Sequence, residues 1–124
     1  MTRAELIEAL ETAQGADADL LSDAWDVRIG SDPAFRRLAC QVVDERGTTN
    51  AGVFGRLLDI GTEEAFLGAA MMLVPEGWAA TVTRDATGSG WAQMDCVDGR
   101  QEFCTHAATP ALALAAACLR AGGE

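Results

Sequence analysis

The chain of 124 residues has no lysine and no tyrosine, a single histidine and three prolines. Nine arginines stand against nineteen acids, for a net charge of −10. With so few cations to displace the counterions of a phosphate backbone, direct nucleic-acid binding is not expected. Arg36 and Arg37 are the only adjacent pair. Long apolar runs are missing as well. The longest, residues 65–74 with Gly68 inside it, is far short of the ~18–20 residues that span a bilayer, so no membrane association is expected. No secretory apolar stretch follows Met1-Thr2-Arg3-Ala4-Glu5, and the cytoplasm is the expected location.

Signatures of chemistry are equally scarce. A structural zinc site needs close Cys/His pairs, and the nearest approach to one is Cys104-x-His106. Gly88-Ser89-Gly90 lacks the spacing of a nucleophile elbow. Neither a phosphate loop nor a dinucleotide fingerprint occurs. A two-residue turn at Asp98-Gly99 pairs Cys96 with Gln101 and Met94 with Phe103. Strand alternation then puts Cys96, Met94 and Phe103 on one face and Cys104 on the other. Cys40, Cys96, Cys104 and Cys118 read as reduced thiols, and His106 as a surface or loop residue. No catalytic residue, metal or cofactor is expected. A small enzyme using Cys104 and His106 is the lesser alternative to a non-enzymatic protein.

What is present is an ordered core, since 49% of the residues are hydrophobic. A single domain over residues 1–124 follows, with an acidic helical half (1–61) and a helix–meander–helix half (62–124). Thr2 and Glu5 form a capping box for the first helix, which Gly15 ends. Asp17 opens the second, with Leu20, Leu21, Ala24 and Trp25 inward. Ser31-Asp32-Pro33 opens a third, in which Phe35, Leu38, Ala39, Val42 and Val43 keep the 3.6 period until residues 46–50 stop it. Residues 51–61 read as a loop with one or two helical turns, because Gly52, Gly55 and Gly61 weaken any helix there. Thr62 caps a further helix, with Phe66, Ala69, Ala70 and Leu73 inward, which Pro75 ends.

From Trp78 the period becomes two, and strands at 78–83, 91–97 and 101–105 make an antiparallel meander. Thr109 and Pro110 then suit the N-cap and first position of a last helix, with Arg120 in its final turn and Gly122 beyond. That helix is apolar on nearly all sides, which predicts burial. The fold class is therefore α+β, with about five helices and a three-stranded sheet.

Leu73-Val74-Pro75-Glu76-Gly77-Trp78, followed by short strands, Ala108-Thr109-Pro110-Ala111-Leu112-Ala113-Leu114 and Cys118-Leu119-Arg120-Ala121, resembles the small phage and prophage proteins of the phage ABA-sandwich domain family. Glu8-Ala9-Leu10-Glu11-Thr12-Ala13 is also similar to their helical start. The match spans residues 64–121 and departs between Trp25 and Gly61. The resemblance implies an α-β-α sandwich, no established activity and no catalytic residues to carry over.

Function is expected to lie in surface contact. Residues 1–64 hold 13 acids and 6 arginines, whereas 65–124 hold 6 and 3. The partner-binding candidates are Glu5, Glu8, Glu11, Asp17, Asp19 and Asp23, with Trp91 as a half-exposed aromatic. A phage-derived inhibitor of a host defence system, such as an anti-CRISPR protein meeting a basic nucleic-acid channel, is the leading expectation. A virion or assembly accessory protein is the alternative.

Overall fold

A computed structural model describes residues 1–15 and 17–121; Gly122, expected just past the last helix, lies outside them. Each helix start is built from a short polar side chain that satisfies orphan N–H groups. Thr2 Oγ1 accepts from the Glu5 N–H at 3.1 Å while Glu5 Oε1 accepts from the Thr2 N–H at 2.8 Å, and this box opens α1 (Arg3–Thr12). Asp17 caps α2 (Ala18–Ser31). Asp32 closes α2 and caps α3 (Pro33–Ala39), with Pro33 at the first position. Thr49 caps α4 (Asn50–Ile60) and Thr62 caps α5 (Glu63–Met71). Strands β1 (Trp78–Arg84), β2 (Gly90–Cys96) and β3 (Gln101–Ala107) form one antiparallel sheet in the order β1-β2-β3. Thr109 Oγ1 accepts from the Leu112 N–H at 3.3 Å, opening α6 (Pro110–Ala121).

The α+β class, the meander and the burial of the last helix are as expected. Every residue of α6 from Pro110 to Leu119 is buried. The helix packs on all three strands with one side and on α1, α2 and α5 with the other. Alanine at 111, 113, 115, 116 and 117 keeps its girth small, so both layers approach closely. The layering thus runs sheet, α6, outer helices, and the second helical layer lies beyond α6 rather than on the far face of the sheet. Leu6, Leu10, Leu21 and Leu73 fill the helical side and Met94 the sheet side, all at 1% exposure or less. Each such side chain contributes about 1.5–3 kcal/mol relative to exposure.

Three expectations are corrected. The third helix stops at Ala39, and residues 41–50 make a small hairpin instead, with Val42 bridged to Thr49. The Leu38 carbonyl that Val42 would need for a continuing helix is taken by Asn50 Nδ2 at 2.8 Å and the Gln41 N–H at 3.1 Å. Asp44 ties the turn by accepting from the N–H groups of Arg46 and Thr48, and β-branched Val42 and Val43 suit the extended backbone. Leu38, Val42 and Val43 are consequently exposed.

Residues 51–61, expected as a loop with one or two helical turns, are mostly the full helix α4, which brings the count among the described residues to six helices. Packing outweighs its glycines: Phe54 is buried and stacks on Trp25 with centroids 4.3 Å apart. Gly61, at φ 75°, supplies a left-handed C-cap.

The β2–β3 connection is a three-residue loop, not the expected two-residue turn. The Cys96 N–H donates to the Arg100 carbonyl at 2.9 Å, and Gly99 takes φ 92°. Register moves by one, pairing Met94 with Glu102, Gln93 with Phe103 and Ala92 with Cys104. A one-residue slip reverses faces. Phe103 therefore joins Trp91 on the outer face, while Cys104 turns inward with Met94.

Gly90 marks the closest approach of sheet and helix. A Cβ there would lie 2.5 Å from the Pro110 Cα and N and from the Thr109 carbonyl oxygen, all backbone atoms. Gly90→Ala is expected to lower unfolding free energy by about 2–3 kcal/mol or to abolish folding. Gly55→Ala, on an open helical position, should raise it by about 0.5–1 kcal/mol. Urea denaturation checks both signs; a neutral Gly90→Ala would contradict the close contact.

Candidate protein-interaction surface

The six acidic candidates divide by what they touch. Glu5 and Asp17 are helix caps. Glu11 is ion-paired with Arg120, whose Nη1 also donates to the Phe103 carbonyl at 2.9 Å, so this pair fastens α1, α6 and β3 together. Glu8, Asp19 and Asp23 are exposed. Asp26, absent from the candidates, is exposed too and continues the i, i+4, i+7 spacing of Asp19 and Asp23 along α2. That spacing was the available signal. Among the described residues, the side chains of Glu8, Asp19, Asp23 and Asp26 have no hydrogen bond or ion pair.

Trp91 is half-buried on the outer sheet face, its ring centroid 6.2 Å from that of Phe103. Gln93 Nε2 and Gln101 Nε2 both donate to Asp95 beside them. Among the described residues, no helix covers this face, on which Thr81, Thr83 and Phe103 are exposed. Trp25 is a core residue against Phe35 and Phe54. Trp78 is half-buried with the Arg100 guanidinium 5.3 Å from its ring centroid.

Cys104 and His106 do not meet as nucleophile and base. The Cys104 thiol donates to the main-chain carbonyl of His106 at 3.7 Å, and the imidazole belongs to an exposed residue. Burial pushes the Cys104 thiol above its ordinary range, and burial pushes Cys118 up to about 12. Cys96 shares the inner face with Cys104 but accepts from Arg100 at the loop end. Among the described residues, no three Cys, His, Asp or Glu side chains converge as metal ligands.

A cleft of about 490 Å³ lies beside Arg28, Phe35, Leu38 and Val74. Arg28 is 1% exposed. Its Nε donates to the Leu73 carbonyl and its Nη1 to Asp32 Oδ2, both at 3.1 Å, and its guanidinium lies 4.4 Å from the Phe35 ring centroid. Burial raises the Asp32 carboxyl, but the Phe35 N–H, the Arg28 guanidinium and the Ala34 N–H outweigh it and hold Asp32 below its ordinary value. The cleft is thus walled by a cluster that joins α2, α3 and the segment that follows α5.

No protein-family model, curated protein or solved structure matches the chain. Among the described residues, no helix is long and apolar enough to cross a membrane.

Two outcomes test these placements. Because the folded Asp32 value is depressed, its stabilisation is complete above the ordinary aspartate range and is lost as pH falls through the folded value. Asp32→Asn is expected to cost about 2–4 kcal/mol at neutral pH, since it leaves a buried guanidinium unpaired, and to flatten the loss of stability in acid. Parallel pH profiles for the two proteins would contradict the pairing. In a thiol titration of the folded protein, exposed Cys40 should react at once, and Cys104 and Cys118 only on unfolding; rapid labelling of Cys104 would contradict its burial.

Proposed function

We propose that this protein works by binding a basic protein partner through the acidic faces of α1 and α2, and that it is a phage- or prophage-derived inhibitor of a host defence effector. The observation that carries the reading is the set of unneutralised carboxylates at Glu8, Asp19, Asp23 and Asp26, within a chain of net charge −10. A dense negative face steers toward a cationic channel and competes there with nucleic acid. The similarity of residues 64–121 to the ABA-sandwich proteins supports the phage origin. Three carboxylates along one exposed side of a helix also approximate a run of phosphates in sign, which suits an RNA-guided nuclease as the partner.

A second reading, an accessory protein of virion assembly, is favoured by the aromatic pair Trp91 and Phe103 on the outer sheet face. That reading places contact on the sheet instead of on α2.

Competition between this protein and DNA for a purified RNA-guided nuclease separates the two. Its affinity should fall at least about tenfold between about 50 and about 500 mM salt. Asp19→Lys/Asp23→Lys/Asp26→Lys should abolish binding, and Trp91→Ala should leave it unchanged. Salt-independent binding, or binding lost only with Trp91→Ala, would reject the acidic-face mechanism.

A further inference from the structure

The two edges of the sheet are treated differently. On β3, the outward Phe103 carbonyl is taken by Arg120, and α1 packs alongside. On β1, no hydrogen bond from another segment closes the edge among the described residues. The Val97 N–H donates to the Gly77 carbonyl at 3.3 Å and the Asp85 N–H to the Ser89 carbonyl at 2.9 Å, so the residues bonded to β2 are those in step with 77 and 85. Ala79, Thr81 and Thr83 belong to that set. The N–H and C=O groups of Ala80 and Val82 therefore point away from the sheet. The strand has no proline, no lysine and no bulge to discourage pairing.

Beneath this edge is a cavity of about 170 Å³, walled by Glu63, Glu64, Leu67, Val82, Arg84 and Pro110. Glu63 Oε2 accepts from the Ala111 N–H at 3.2 Å, at the start of α6. Its other oxygen, Oε1, is buried and bonded to nothing among the described residues. A buried acceptor without a donor costs about 1–3 kcal/mol. Two carboxylates against one arginine leave the wall net negative, and Arg84 makes no ion pair among the described residues.

We propose that the open edge of β1 receives an extended, lysine-bearing segment of a partner protein, which adds a fourth strand and sets its ammonium against Glu63 in this cavity. The backbone of the segment supplies the partners that Ala80 and Val82 lack, and alternate side chains point toward the cavity. The ammonium answers the net negative charge that Glu63 and Glu64 give the cavity wall. A second copy of this chain is the poorer occupant, because it has no lysine and brings a further charge of −10. The site is separate from the acidic stripe of α2, so either can fail alone.

The probe is the synthetic peptide acetyl-Thr-Val-Thr-Lys-Thr-Val-amide, with one version carrying norleucine for lysine and one N-methylated on the edge-facing amides. The lysine peptide is expected to bind and to slow hydrogen exchange of the Ala80 and Val82 amides by at least about tenfold. Norleucine should weaken binding about tenfold, which is about 1.4 kcal/mol. Backbone methylation and Ala80→Pro, which removes an edge donor, should each abolish it. Glu63→Gln should erase the preference for lysine over norleucine, while Asp19→Lys/Asp23→Lys/Asp26→Lys should leave peptide affinity unchanged. No binding at millimolar peptide, binding that leaves those two amides unprotected, or equal affinity for the norleucine peptide would overturn the proposal. So would sedimentation showing that a dimer of the protein itself occupies the edge.

Discussion

The fold depends on a helix that buries itself on every side. An α-helix apolar all round can be stable in water only as a middle layer, and α6 is one, with ten consecutive residues from Pro110 to Leu119 buried. Its alanines make this possible. Larger residues at 113, 115 or 117 would hold the sheet and the α1–α2–α5 layer apart, whereas leucines at 112, 114 and 119 supply apolar volume where there is room. Other constraints follow from the same closeness. Gly90 has no space for a methyl group against the start of α6, Glu63 reaches across to the Ala111 N–H, and Arg3 donates to the Leu119 carbonyl at 2.6 Å.

Because the sheet spends its single buried face on α6, its other face has no helix to cover it among the described residues. The outward side is therefore small and polar, except for Trp91 and Phe103, and one edge remains unpaired. On the far side of the molecule, α1 and α2 turn their apolar stripes to α6 and their carboxylates to water. The three-layer arrangement thus sets the carboxylates of α1 and α2 on the opposite side of α6 from the sheet.

Much of this was legible in the residues. The caps at Thr2, Asp17, Asp32, Thr62 and Thr109 and the buried terminal helix follow from local chemistry that tertiary contacts do not override. The errors arose where distant residues decided. Asn50, reaching the Leu38 carbonyl across twelve positions, ends α3 before Val42, and no periodicity count contains that bond. Phe54 stacking on Trp25 sustains α4 despite its glycines. At Asp98-Gly99 the dipeptide suited either a two- or a three-residue loop, and the choice moved Phe103 and Cys104 to opposite faces from those expected. The acidic surface was half visible: charge type could be read, but not that Glu11 serves Arg120 or that Asp26 completes the stripe.

Hydrogen exchange along α6 tests the central claim most directly. If α6 is the layer on which the others assemble, the amides from Leu114 to Leu119 exchange only through global unfolding, with the free energy and urea dependence of the whole molecule. Those of α3 and of residues 41–50 exchange through local opening. Amides of α6 that opened locally, ahead of those in α1 and α2, would contradict the account.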